Sequence, residues 1–169
     1  MKLLFSLDKK NYDESWPKFE RPSVRGIIIR GDKVAMVHSL KYDYYKFPGG
    51  GIDPSESHME CLIREVKEES GLTVIPETVK EFGNVVRAEA GKGEEIFYQE
   101  NFYYLCHVEA TTTLQDLDDY EAEEHFTLEW ITPDVAISAN RKPDHGPKSN
   151  IMIEREAKVL EILIEEGYF

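Results

Sequence analysis

The 169-residue sequence predicts a single α/β domain spanning residues 1–169, with short strands covered by helices. Three observations carry this reading. Runs rich in β-branched and aromatic residues come early and return after the middle of the chain. A capped helix separates the two groups, and a second helix with an apolar stripe closes the sequence. A chain of this length buries roughly two thirds of the surface that its unfolded form exposes, so one core needs no covalent staples.

Residues 23–30 (SVRGIIIR) and 33–39 (KVAMVHS) read as two strands of a hairpin joined by Gly31-Asp32. Residues 57–70 read as a helix: Ser57 is placed to cap it, Glu60 to complete a capping box, and Gly71 to stop it in a left-handed turn. Residues 79–88 (VKEFGNVVRA) predict a strand weakened by Gly83, and residues 95–108 a longer one. In the longer run Ile96, Tyr98, Phe102, Tyr104, Cys106 and Val108 share one parity while Phe97, Tyr103 and Leu105 take the other, the pattern of a strand covered on both faces. Residues 111–124 are acidic, and Leu114 and Leu117 are their large aliphatics. Residues 126–131 (FTLEWI) predict a further strand and residues 138–150 a Pro- and Gly-bearing loop. Residues 151–166 predict the last helix, with Ile153, Ala157, Leu160 and Ile164 on its apolar face, widened by Val159 and Leu163.

The formal net charge of −13 argues against a nucleic-acid polymer as partner, because such binding rests on clustered Lys and Arg. Cys61 and Cys106 are too few and too widely spaced for a disulfide framework or a zinc knuckle, which fits a reducing compartment. The opening MKLLFSLDKK holds an apolar run too short for a signal peptide, and no segment approaches a membrane span. A cytoplasmic protein, monomer or homodimer, is the expectation.

Residues 50–72 read GGIDPSESHMECLIREVKEESGL. Seven fixed residue types and two apolar positions at this spacing would arise by accident with odds on the order of one in ten million. On a helix, Glu65 precedes Glu68 by three residues and Glu69 by four, so three carboxylates share one face. Their repulsion turns favourable once a hard cation accepts the oxygens, and all-carboxylate donors favour Mg²⁺ or Mn²⁺ over zinc. Ile63, Met59 and Val66, with Leu62 at the boundary, fall on the far side and would seat the helix on the sheet. Arg64 stands four residues from both Glu60 and Glu68 and can pair with either.

This stretch resembles, at every defining position, the signature of the Nudix hydrolases. The resemblance implies the Nudix fold, an α/β/α sandwich with a mixed β-sheet. It also implies metal-dependent hydrolysis of a diphosphate linkage in a small nucleotide or nucleoside-diphosphate-X substrate by water attack at phosphorus. A divalent metal would let so acidic a chain hold an anionic substrate. By the same resemblance Gly49 (through its carbonyl), Glu65, Glu68 and Glu69 would hold the metal, Arg64 would orient a helix carboxylate, and Glu56 would support the loop. The base would be Glu65 or a later loop carboxylate; among Glu121, Glu123 and Glu124, Glu124 lies closest to the following strand. Arg25 and Lys46 are candidate phosphate contacts, and Tyr44, Tyr45, Phe97 or Tyr98 candidate ring contacts. Asp144-His145-Gly146 could hold a second base. The alternative is a non-catalytic Nudix-like nucleotide-sensing module. An isomerase on the same scaffold is disfavoured, since no Cys precedes Cys61.

Overall fold

The computed structural model describes residues 1–169. In chain order the elements are β1 (Leu3–Asp8), β2 (Lys18–Glu20), β3 (Ser23–Ile27), β4 (Ile29–Arg30), β5 (Lys33–Ser39), β6 (Tyr44–Lys46), α1 (His58–Ser70), β7 (Leu72–Val74), β8 (Lys80–Ala90), β9 (Ile96–Leu105), β10 (Val108–Thr112), α2 (Asp119–Glu123), β11 (Phe126–Ile131), α3 (Pro133–Asn140) and α4 (Asn150–Glu165). The main sheet is mixed: β1 runs parallel to β8, β8 antiparallel to β9, and both β2 and β3 parallel to β9. A second, antiparallel sheet joins β11, β5, β4 and β6, and β7 pairs with β10 in a short ribbon.

Strand alternation splits the core into two layers. Val24, Ile28 and Ala35 meet Cys61, Leu62 and Val66 of α1. Ile27, Val34 and Met36 point the other way, onto Ala136 of α3 and Val159, Leu160 and Leu163 of α4. This is the expected α/β/α arrangement. Strand β9 is covered on both faces: Phe102 and Tyr104 pack with the α1 layer, Tyr103 and Leu105 with the α4 layer.

Tertiary pairing redraws several boundaries. Residues 23–30 are not one strand: β3 joins β9 in the main sheet, and the hairpin with β5 survives only at its tip, Ile29 opposite Val34 and Arg30 opposite Lys33. The run 95–108 breaks after Leu105, where the Cys106 amide donates to the Ile27 carbonyl (3.0 Å) and the chain leaves to form β10. Gly83 marks a register shift rather than a weak strand, since a Cβ there would stand 2.6 Å from Leu4. Residues 138–140, expected in a loop, complete α3. On α1 the buried arc is rotated toward Cys61 and Glu69, which leaves Met59 38% exposed instead of seated on the sheet. Ile164, in the last turn of α4, is 40% exposed, while Arg155 and Glu156 are buried on that helix.

Candidate active site at the motif helix

Helix α1 starts with the full capping box: the Glu60 amide donates to Ser57 Oγ (3.3 Å) and the Ser57 amide to Glu60 Oε2 (2.9 Å). Gly71, at φ 70°, closes it. Capping occupies Glu60, so of the two partners open to Arg64 only Glu68 is taken (Nη1 to Oε2, 3.1 Å). Arg64 also forks onto Glu56 at 2.7 and 2.8 Å and reaches Glu65 Oε1 at 2.8 Å. One guanidinium therefore ties the loop to two helix carboxylates, and its hydrogen bonds hold the Glu56 carboxyl down at about 2.

The glycine loop before α1 brings backbone against these acids. Gly49 has φ 142°, and a Cβ there would overlap the Val24 carbonyl. Its amide donates to Glu69 Oε2 (2.9 Å), and its carbonyl accepts from Arg25 Nη1. A Cβ on Gly50 would overlap all three atoms of the Glu65 carboxyl group. Only glycine allows that approach.

The three motif carboxylates differ in setting. Glu69 is fully buried; burial raises its carboxyl to about 7 against the opposing pull of Lys46, its ion-pair partner, and of Arg25. Burial also raises Glu65, opposed by Arg64. The Glu68 side chain is 39% exposed. Each acid has a protein cation beside it, and no three His, Cys, Asp or Glu side chains converge at metal-coordinating spacing. The donor chemistry itself, carboxylates and backbone carbonyls without thiol or imidazole, fits Mg²⁺ or Mn²⁺.

A cavity of about 520 Å³ opens beside this loop, with Gly49, Gly50, Gly51 and Glu65 on its wall. Arg25, Lys46, Tyr44, Phe97 and Phe126 line it further. Arg25 is buried, and its Nε has no hydrogen-bond partner. The Lys46 ammonium lies 4.6 Å from the Phe126 ring centroid.

Comparison with known proteins decides the family. A NUDIX domain model matches residues 20–154. The chain belongs to the Nudix family. It is 46% identical over 50 residues to an RNA pyrophosphohydrolase of Ruthia magnifica subsp. Calyptogena magnifica, covering 28% of each protein. It is 28% identical over 120 residues to diphosphoinositol polyphosphate phosphohydrolase 2 of Mus musculus, covering 68% of this chain and 59% of the relative. The chain thus spans less than two thirds of either relative's length. A NUDIX hydrolase from Nitrosomonas europaea shares the fold, with a TM-score of 0.62 at 18% identity over 85% of this chain and 90% of that one.

Within the Nudix scaffold the sequence-predicted residues separate. Glu65, Arg25, Lys46, Tyr44 and Phe97 share the cavity wall. Glu124 does not: its buried carboxylate accepts from Ser39 Oγ (3.1 Å), Tyr44 OH (3.0 Å) and Lys148 Nζ, which turns it away from the motif. Glu121 is the loop acid whose carboxyl meets that of Glu69, held also by Tyr120 OH (2.7 Å) and the Asp118 amide (3.0 Å). Glu123 is exposed and pairs with Lys41. Tyr45 stacks on His38 with centroids 4.0 Å apart, and Tyr98 receives Lys18 at 4.6 Å; neither lines the cavity. His145 is held between the carbonyls of Tyr42 (2.9 Å) and Asn140 (3.2 Å) as a loop anchor. Sequence reasoning missed Arg87, Gln99, Lys148 and Arg155 on the cavity wall. The available signal was an Arg-Glu pair, Arg155-Glu156, set inside an otherwise apolar helix stripe.

Proposed function

We propose that this Nudix protein is a metal-dependent diphosphohydrolase that cleaves the diphosphate linkage of a small nucleotide or nucleoside-diphosphate-X substrate by water attack at phosphorus. The observation that supports it best is a carboxylate, Glu65, pressed by Gly50 onto the wall of a cavity that also presents Arg25 and Lys46. Mg²⁺ or Mn²⁺ held by Glu65, Glu68, Glu69 and the Gly49 carbonyl would supply charge neutralisation at the phosphate oxygens and acidify water.

The remaining work falls to the chain's own groups. Arg25 and Lys46 on the cavity wall bring positive charge to the phosphate oxygens. Glu65, the one motif carboxylate on the cavity wall, accepts the water's proton. Arg64 keeps Glu65 oriented and ties it to Glu56. Glu121, rather than the candidate base Glu124, is the later acid whose carboxyl meets Glu69. The free, buried Cys61 and Cys106 agree with a cytoplasmic setting.

The test is release of phosphate or diphosphate by the purified protein with Mg²⁺ from normal and oxidised nucleoside triphosphates, ADP-ribose, dinucleoside polyphosphates and nucleotide sugars. Turnover of at least one, lost on chelation, supports the reading. Binding without turnover across the panel would favour the non-catalytic sensing module.

A further inference from the structure

The cavity reaches past the motif, and its charge runs opposite to that of the molecule. Seven cationic side chains line it against three acidic ones, in a chain whose net charge is −13. Neutralising the motif accounts for only part of this excess. The cations that act on Glu65 and Glu69 are Arg64, Arg25 and Lys46. A second set, Arg87 on β8, Arg155 on α4 and Lys148 before α4, comes from other elements of the fold, each with a single carboxylate partner, Glu89, Glu156 and Glu124 respectively.

Arg155 is 1% exposed and Arg87 9% exposed. Burying two guanidinium groups beside each other is costly unless acceptors surround them. Arg155 is well supplied: Glu156 pairs with it, and Asn101 Oδ1 (2.7 Å) and Gln99 Oε1 (3.2 Å) accept from its Nη1. Arg87 is not. Its Nε (2.9 Å) and Nη2 (2.6 Å) point to Glu89 Oε1, but Nη1 has only a long contact of 3.4 Å to Gln99 Oε1, an oxygen already shared with Arg155. Burial, and then repulsion from Arg155, bring the Arg87 guanidinium down to about 10. An anion in this part of the cavity relieves that repulsion, as a cation relieves the repulsion among the motif carboxylates.

We propose that Arg87, Arg155 and Lys148 form a second anion subsite that holds a phosphate of the substrate outside the scissile diphosphate. The substrate class is then a small molecule carrying at least one phosphoryl group beyond that linkage. This deepens the diphosphohydrolase reading and rests on it for the identity of the scissile bond. A small molecule is favoured over a nucleic-acid polymer because the cations are gathered in a cavity of about 520 Å³ while the chain as a whole is strongly acidic.

The test is calorimetric titration of inorganic tripolyphosphate into the full chain in metal-free buffer, where hydrolysis plays no part and failure of the catalytic reading leaves the result intact. One-site binding is expected, weakened at least tenfold in Arg87→Gln, with thermal melting as the control for folding. If Arg87→Gln does not fold, Lys148→Gln carries the test with the same expected loss. Absence of binding, or unchanged affinity in a folded variant, overturns the subsite. Tighter binding of a 5′-triphosphorylated RNA than of tripolyphosphate overturns the small-molecule assignment.

Discussion

Substituting Gly50 separates the stability of this fold from its chemistry. The backbone there lies outside the left-handed region, so alanine adds no φ strain, and the added Cβ collides with the Glu65 carboxyl group, the movable end of a side chain. The overlap falls inside the 3.0 Å that real Cβ atoms essentially never breach. Relieving it costs roughly 1–3 kcal/mol as overpacking, offset by about 0.4–1 kcal/mol from the stiffer unfolded chain. The net loss is expected at about 1–2 kcal/mol, which a fold of this size tolerates. Catalysis fares worse, because a base displaced by about 1 Å loses on the order of 10²-fold in rate. Gly49→Ala is the contrast: its Cβ meets the backbone carbonyl of Val24, which cannot turn away, and φ is 142°. Thermal melting and Mg²⁺-dependent turnover on both variants check the argument. Gly50→Ala should melt near the wild type with turnover down about 10²-fold, and Gly49→Ala should lose structure first. Turnover of Gly50→Ala within about threefold of wild type, or joint loss of fold and activity, would refute the placement of Glu65.

Other perturbations probe the remaining groups. Glu121→Gln should lower kcat more than Glu124→Gln does, since Glu124 is engaged with Ser39, Tyr44 and Lys148; the reverse order in steady-state kinetics would return the loop role to Glu124. Arg64→Lys keeps the charge but loses the fork to Glu56, and turnover should fall about tenfold or more with a stability change near 1 kcal/mol in denaturant titration. The Glu69 carboxyl lies near 7 in the folded chain against 4.5 in a free side chain. The folded state therefore holds that proton more tightly. In metal-free buffer wild type should lose stability relative to Glu69→Gln as pH rises from about 4.5 to about 7, by on the order of 3 kcal/mol. Parallel stability curves for the two proteins would remove the shift.

What could be read from the sequence was what local chemistry determines. The caps of α1 are set within a few residues, and the capping-box spacing at Ser57 and Glu60 together with Gly71 was enough to place both ends. Residues 118–121 carry the same kind of signal, an Asp followed three residues later by Glu, and they cap α2 by the same reciprocal bonds; that short helix turns Glu121 toward Glu69 and Glu124 away. Sequence adjacency to a strand was a poor guide to which loop acid reaches the site. Other features depend on partners far along the chain. Residue 28 is where one apolar run passes from the main sheet to the second, a choice made by β9 rather than by the run itself. Arg87 reads as an isolated basic residue and Arg155 as one half of an Arg-Glu pair, and only the packing of α4 near β8 and β9 makes them neighbours on one cavity wall.

The most direct measurement compares wild type and Glu65→Gln across the diphosphate panel, each with Mg²⁺ and with the metal chelated. The account predicts at least one substrate cleaved by wild type, no cleavage after chelation, and turnover about 10³-fold lower in Glu65→Gln at an unchanged melting temperature. No cleavage by wild type, cleavage that survives chelation, or a Glu65→Gln protein as fast as wild type would contradict it.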